Sequence, residues 1–148
     1  MIRATPSEQG AALARAAAAL IGCPFRLHGR DPATGLDCVG LVVAALGAIG
    51  GQPSAPTGYA LRNLAVEHWL HHAAGSGLIP SSGPVRAGDV LLIALGACQH
   101  HLVIAVGDGM VIHAHAGLRR VVCQPHDLAW QVCAQWRPAL ASTRSKEG

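Results

Sequence analysis

Hydrophobic positions follow two different rhythms along this 148-residue chain, and the change between them predicts its architecture. In the first half, Thr5-Pro6-Ser7-Glu8 reads as a helix start, with Thr5 as N-cap, Pro6 at the first helical position and Glu8 placed to close a capping box. That helix is expected to run to about Ile21, stopped by Gly22 and Pro24. Phe25 to Leu36 carries Gly, Pro, Asp and Arg without apolar period and is expected to be a loop delivering the chain to Asp37. Asp37 is the expected N-cap of an uncharged apolar helix from Cys38 to about Ile49, ended by Gly50-Gly51. Gln52 to Gly58 reads as a connector, Tyr59 to Ala74 as a helix from the spacing of Leu61, Leu64, Ala65 and Trp69, and Gly75 to Ala87 as a loop.

Beyond residue 88 the pattern shortens to β-rich runs separated by Gly-containing turns: 89–95, 99–106, 110–115 and 118–124, with a last strand at 132–137. Pro125 to Leu128 is expected to start a helical turn, and 139–148 to form a polar tail. Helices first and strands afterwards mean an α+β fold, with the N-terminal helices packed on a C-terminal antiparallel sheet. The length suits one domain, 1–148 with its core at about 5–138, enough to bury about two-thirds of its unfolded surface.

Composition narrows the function. Half of the residues are apolar but only five are Phe, Trp or Tyr, so the core must be built mainly from Ala, Val, Leu and Ile. A net charge of +3 without a basic cluster larger than Arg119-Arg120 excludes a nucleic-acid binder. The longest apolar stretch, Gly40 to Gly51, falls well short of the roughly 20 residues that span a bilayer, so no membrane insertion is expected. Met1 to Glu8 lacks the features of a secretory signal, which points to synthesis in the cytoplasm. Five cysteines at irregular spacing, none in Cys-x-x-Cys, point to free thiols rather than a disulfide framework.

The chemistry gathers around Cys38, His101 and His113. A thiol attacks a carbonyl as thiolate, and Cys38 opens a helix whose unpaired N–H groups favour negative charge. His101 is the candidate base and His113 the residue that orients it, while the Cys38 backbone N–H is a candidate oxyanion donor. Strand alternation sets a condition on this grouping. With a two-residue turn at Asp108-Gly109, residue 107 pairs with 110 and the two imidazoles fall on opposite faces, which would break the site. A three-residue loop, Gly107-Asp108-Gly109, with Gly109 in the left-handed conformation of a G1 bulge and Val106 paired with Met110, brings them to one face, and this longer loop is the expectation.

Less specific readings compete. Cys23, Cys98, Cys123 and Cys133 read as buried apolar filler, and His68, His71 and His72 as solvated on a surface helix. Cys98, His100, His101, His113 and His115 fall close enough on adjoining strands to suggest zinc, but no carboxylate accompanies them and a metal would leave the Asp37-Cys38 helix start unexplained. No metal and no cofactor are expected.

Taken in order, Cys-Pro-Phe-Arg at 23–26, Gly-Leu-Asp-Cys-Val-Gly-Leu-Val at 35–42, Gly-Asp-Val-Leu at 88–91, His-Leu-Val-Ile-Ala-Val-Gly-Asp-Gly at 101–109 and Ile-His-Ala at 112–114 resemble the NlpC-type cysteine peptidases. The stretch from Pro24 to Leu41 is similar to their phage-encoded branch. The resemblance implies a circularly permuted papain-like fold and hydrolysis of peptidoglycan stem peptides, commonly between D-glutamate and diaminopimelate. It matches Cys38 to the nucleophile, His101 to the base, His113 to the third polar residue and Asp37 to the acidic residue before the nucleophile. Phe25 stands where many members have Tyr, and Val39 where Ser is usual, so Phe25, Asp37 and Val39 are expected beside the substrate. A wall enzyme without a signal sequence needs a carrier, and a phage tail or tail-like particle is the expected partner. The alternatives are a non-catalytic tail assembly protein with the same fold and a His/Cys zinc-binding protein.

Overall fold

The computed structural model describes residues 5–51, 73, 75–96 and 99–140. The connector expected at 52–58, most of the helix expected at 59–74 with His68, His71 and His72, Cys98, and the tail beyond 140 lie outside the described residues.

Helix α1 spans Pro6–Ala18. Its capping box is formed as the sequence predicts: Glu8 N donates to Thr5 Oγ1 at 3.1 Å and Thr5 N donates to Glu8 Oε1 at 2.7 Å. The helix ends three residues before Ile21 because Gly22, at φ 94°, donates its N–H to Val121 O and ties the chain to the sheet. The expected loop from Phe25 to Leu36 contains a two-stranded ribbon, β1 (Arg30–Asp31) and β2 (Gly35–Leu36), whose strands are too short to show a period.

Helix α2, Cys38–Ala48, is capped at its start by Asp37, whose Oδ1 accepts from Gly40 N at 2.8 Å. At its end Gly51 N donates to Leu46 O and Gly50 N to Gly47 O, with Gly50 at φ 94°, the Schellman arrangement that Gly50-Gly51 foretold.

The remaining strands are β3 (Leu78–Pro80), β4 (Val90–Gly96), β5 (Gln99–Gly107), β6 (Met110–His115), β7 (Arg120–Pro125) and β8 (Gln131–Pro138). They form one antiparallel sheet in the order β3-β8-β4-β5-β6-β7. The fold is α+β, with α1 and α2 packed on this six-stranded sheet. β3 lies within the segment expected to be loop; it pairs only with β8, at the sheet edge. β7 starts at Arg120 rather than Leu118, since Arg119 at φ 60° still belongs to the preceding turn. The helical turn expected at Pro125 to Leu128 is instead a turn built on Asp127, which accepts from Ala129 N through Oδ1 and from Trp130 N through its carbonyl.

Strand alternation separates two apolar layers. Val90, Leu92, Leu102, Ile104, Ile112, Ala114 and Trp136 pack with Leu13, Leu41, Val42 and Leu46 of the helices. Leu91, Ile93, Val103 and Val111 form a smaller cluster with Trp130. Among the described residues no helix is long and apolar enough to cross a membrane.

The β5–β6 hairpin corrects the expected loop while preserving its consequence. The turn is two residues, Asp108 (φ 55°) and Gly109 (φ 73°), and Gly107 pairs with Met110. Both central residues take the left-handed conformation that a primed hairpin turn requires, which Asp-Gly accepts at low cost. A register shift between Ala105 and Gly107 leaves Val106 as the extra residue, so that Ala105 pairs with Val111 and Ile104 with Ile112. Continued inward, this register puts His101 and His113 on one face.

Candidate active site

The start of α2 is held by a buried carboxylate. Asp37 is fully buried; Oδ1 accepts from Gly40 N at 2.8 Å and Arg30 Nη1 at 3.0 Å, and Oδ2 accepts from His28 N at 2.8 Å. His28 sits at φ 63°, a costly conformation for a non-glycine residue, and its bond to Asp37 helps to hold it there. Gly40 has its own reason to be glycine: a Cβ there would overlap the carbonyl oxygen of Gly29, so the loop carrying Arg30 crosses directly over the helix start.

Cys38, the first residue of α2, is 2 % exposed. Burial pushes its thiol up to about 12, and the neighbouring Asp37 charge adds to this. Against them act backbone N–H groups, foremost that of Leu102, which places the sulfur against β5 one residue beyond His101. Among the described hydrogen bonds, none joins Cys38 directly to an imidazole.

The two histidines do meet. His101 Nε2 lies 2.7 Å from His113 Nδ1, with the rings edge-on at 82°. His113 Nε2 lies 2.6 Å from Oε1 of Gln124 on β7. Burial, followed by the charges of His113 and His115, pushes His101 down to about 3. His113 is also lowered, chiefly by burial, with the Gln124 bond opposing and His115 adding. Both rings are therefore neutral at neutral pH, and each can donate through one nitrogen only.

A cleft of about 260 Å³ opens over these rings, lined by His101, His113, His115, Gln124, Phe25 and Trp130 among others. Phe25 thus stands on the cleft wall. Asp37 and Val39 do not: both are fully buried, with Val39 in the helix–sheet core. The structure therefore groups His101, His113 and Phe25 at the cleft, while Cys38, Asp37 and Val39 are buried and do not line it.

Gln124 was not among the candidates read from the sequence. A neutral amide on a strand carries no motif, and only the β6–β7 register, with His113 opposite Val122 and Val111 opposite Gln124, reveals it as a diagonal neighbour of His113 on the same face. The remaining thiols also differ from expectation: Cys123 and Cys133 are exposed and Cys23 half-buried, because Cys123 lies on the edge strand β7, Cys133 is set aside by the register shift in β8 opposite Leu92 and Ile93, and Cys23 lies just before the Pro24 bridge. Among the described residues no group of three or more His, Cys, Asp or Glu side chains is arranged to hold a metal ion.

Residues 22–135, from the turn after α1 to the last strand, match the NlpC/P60 family. The chain belongs to that family. NlpC/P60 proteins are cysteine peptidoglycan hydrolases, and the solved structures similar to this member share its architecture. The NlpC/p60 domain of the peptidoglycan hydrolase SagA is 25% identical, with a TM-score of 0.55 over 88% of this chain and 98% of that one. The peptidoglycan hydrolase RipB from Mycobacterium tuberculosis is 19% identical, with a TM-score of 0.65 over 96% of this chain and 70% of that one. NlpC2 from Trichomonas vaginalis is 19% identical, with a TM-score of 0.63; the match covers 92% of this chain but only 49% of that one, so this NlpC/P60 chain spans about half its length. No curated protein sequence matches the chain.

Proposed function

We propose that this protein is a cysteine endopeptidase that hydrolyses peptidoglycan stem peptides, with Cys38 as nucleophile, His101 as general base and His113 as the residue that orients His101. The observation that carries this reading is the 2.7 Å bond between His101 and His113, next to the point on β5 where the Cys38 thiol rests. In the reaction His101 takes the thiol proton as sulfur attacks the scissile carbonyl, and the proton passes to the leaving amine. Water then attacks the resulting thioester with His101 again as base, releasing the acid and restoring the thiol. The N–H of Cys38 faces the developing oxyanion. With the thiol and the imidazole both neutral at rest, the proton leaves sulfur during the attack and not before it.

The proposed bond is that between D-glutamate and diaminopimelate, with Phe25 on the cleft wall contacting the peptide and Asp37 acting on it only through the helix start. Val39, sealed in the core, contributes the shape of that start. The motif at 24–41 supports delivery to the wall as part of a phage tail or tail-like particle, a proposal that copurification with such particles tests.

One observation favours a second reading. The buried thiol without a direct bond to either imidazole suits a non-catalytic tail assembly protein that kept the fold. Incubating the protein and its Cys38→Ala variant with muropeptides separates the two: cleavage by the first alone supports the peptidase, and equal, negligible turnover refutes it.

A further inference from the structure

We infer that Gln124 is a positioning residue for this site: it selects the proton arrangement in which His101 presents a bare Nδ1 as the base. The inference rests on the peptidase reading above and extends it to a fourth side chain, carried by a strand that holds none of the other three. Its Oε1 atom, 2.6 Å from His113 Nε2, accepts a hydrogen bond and so requires the proton of the neutral His113 ring to sit on Nε2. His113 Nδ1 is then a lone pair. At 2.7 Å it accepts from His101 Nε2, which must in turn carry the His101 proton. One lone pair remains on the neutral His101 ring, at Nδ1, and it is the only place from which that ring can take a thiol proton.

Reversing the first bond reverses every later one. Were the Gln124 amide NH2 turned toward His113, that ring would hold its proton on Nδ1 and donate to His101 Nε2, leaving His101 protonated on Nδ1 and unable to act as base. Gln124 lines the cleft wall and reaches His113 from β7, so the strand that closes the sheet on this side sets the direction of the chain of bonds. The other titratable groups near the pair are His115 on β6 and His100 on β5, with Cys38 on α2; none of them bonds the outer nitrogen of His113.

Gln124→Glu and Gln124→Leu separate positioning from packing. A carboxylate only accepts, so Gln124→Glu preserves the proton arrangement, whereas Gln124→Leu keeps bulk and removes the acceptor. Nitrogen-15 spectra of the imidazoles, assigned through His101→Gln and His113→Gln, read the tautomers without any substrate. The wild type and Gln124→Glu are expected to show both rings protonated on Nε2, and Gln124→Leu a mixture. With muropeptides, Gln124→Leu should lose on the order of tenfold in kcat at unchanged KM, the effect of one neutral hydrogen bond, and Gln124→Glu should restore it. A wild-type His113 protonated on Nδ1, or a Gln124→Leu variant with wild-type tautomers and kcat, overturns the inference. Absence of wild-type turnover would count against the peptidase alone, because the spectra still judge the role of Gln124.

Discussion

Replacing Asp37 by Asn tests whether this acidic position serves the fold or touches substrate. The substitution keeps size and N-cap capacity, since Asn caps helices about as well as Asp. It removes the charge that faces Arg30 at 3.0 Å and turns one of two acceptor oxygens into a donor. Either Gly40 N or His28 N then loses its acceptor, and a donor faces a donor in a fully buried place. Breaking a buried pair by removing one partner costs about 3–5 kcal/mol. Arg30 keeps 31% exposure and regains water, so the lower end, about 3 kcal/mol, is the expected loss. With a urea m-value of about 2 kcal/mol/M for a domain of this size, the unfolding midpoint should fall by about 1.5 M. The same change lowers the Cys38 thiol, because Asp37 is one of the groups that raise it. A midpoint within about 0.3 M of the wild type, together with abolished peptide cleavage, would refute the structural assignment and place Asp37 on the substrate.

Three further outcomes are expected. A thiol raised to about 12 stays protonated at pH 7, so peptide-resolved alkylation should modify the exposed Cys123 and Cys133 well before Cys38; preferential labelling of Cys38 would show a preformed ion pair. His101 falls from 6.5 in the unfolded chain to about 3 when folded, so the unfolded state binds the extra proton between those values; its contribution is complete above about 6.5 and lost as pH drops toward 3, and His101→Gln should flatten urea midpoints across that window. Gly40→Ala drives a methyl into the Gly29 carbonyl and should cost about 1–3 kcal/mol despite the better helix propensity of Ala; a melting temperature at or above that of the wild type would contradict the close crossing.

Much of this architecture was legible in the sequence because it rests on local chemistry. The capping box at Thr5, the Asp37 cap, the Gly50-Gly51 stop and the alternation at 110–115 each bind residues only a few positions apart. β1, β2 and β3 were not, since strands of two or three residues are defined by their partners and not by any period. His101 and His113 were found as types of residue at a plausible spacing; the bulge that brings them together was expected at Gly109 and lies at Val106, because alternation counts residues and does not show where one is set aside. Gln124 was invisible for the same reason as β3: its role depends on a pairing register with another strand. The burial of Val39 and Asp37 away from the cleft lining arises from the packing of α2 on the sheet, which sequence neighbours alone do not specify.

The extra residue at Val106 turns hairpin length into a matter of odd and even. His101 and His113 are twelve positions apart, an even interval, and a plain two-residue turn places residues on a common face only when their interval is odd. One unpaired residue repairs the mismatch. Removing Val106 would shorten the interval to eleven, and a regular hairpin would then keep the imidazoles together without any bulge. Adding one residue while keeping the bulge would send them to opposite sides of the sheet. In a hairpin closed by the same two-residue turn, simple counting between two such histidines therefore decides whether the strands joining them must carry an odd or an even number of unpaired residues.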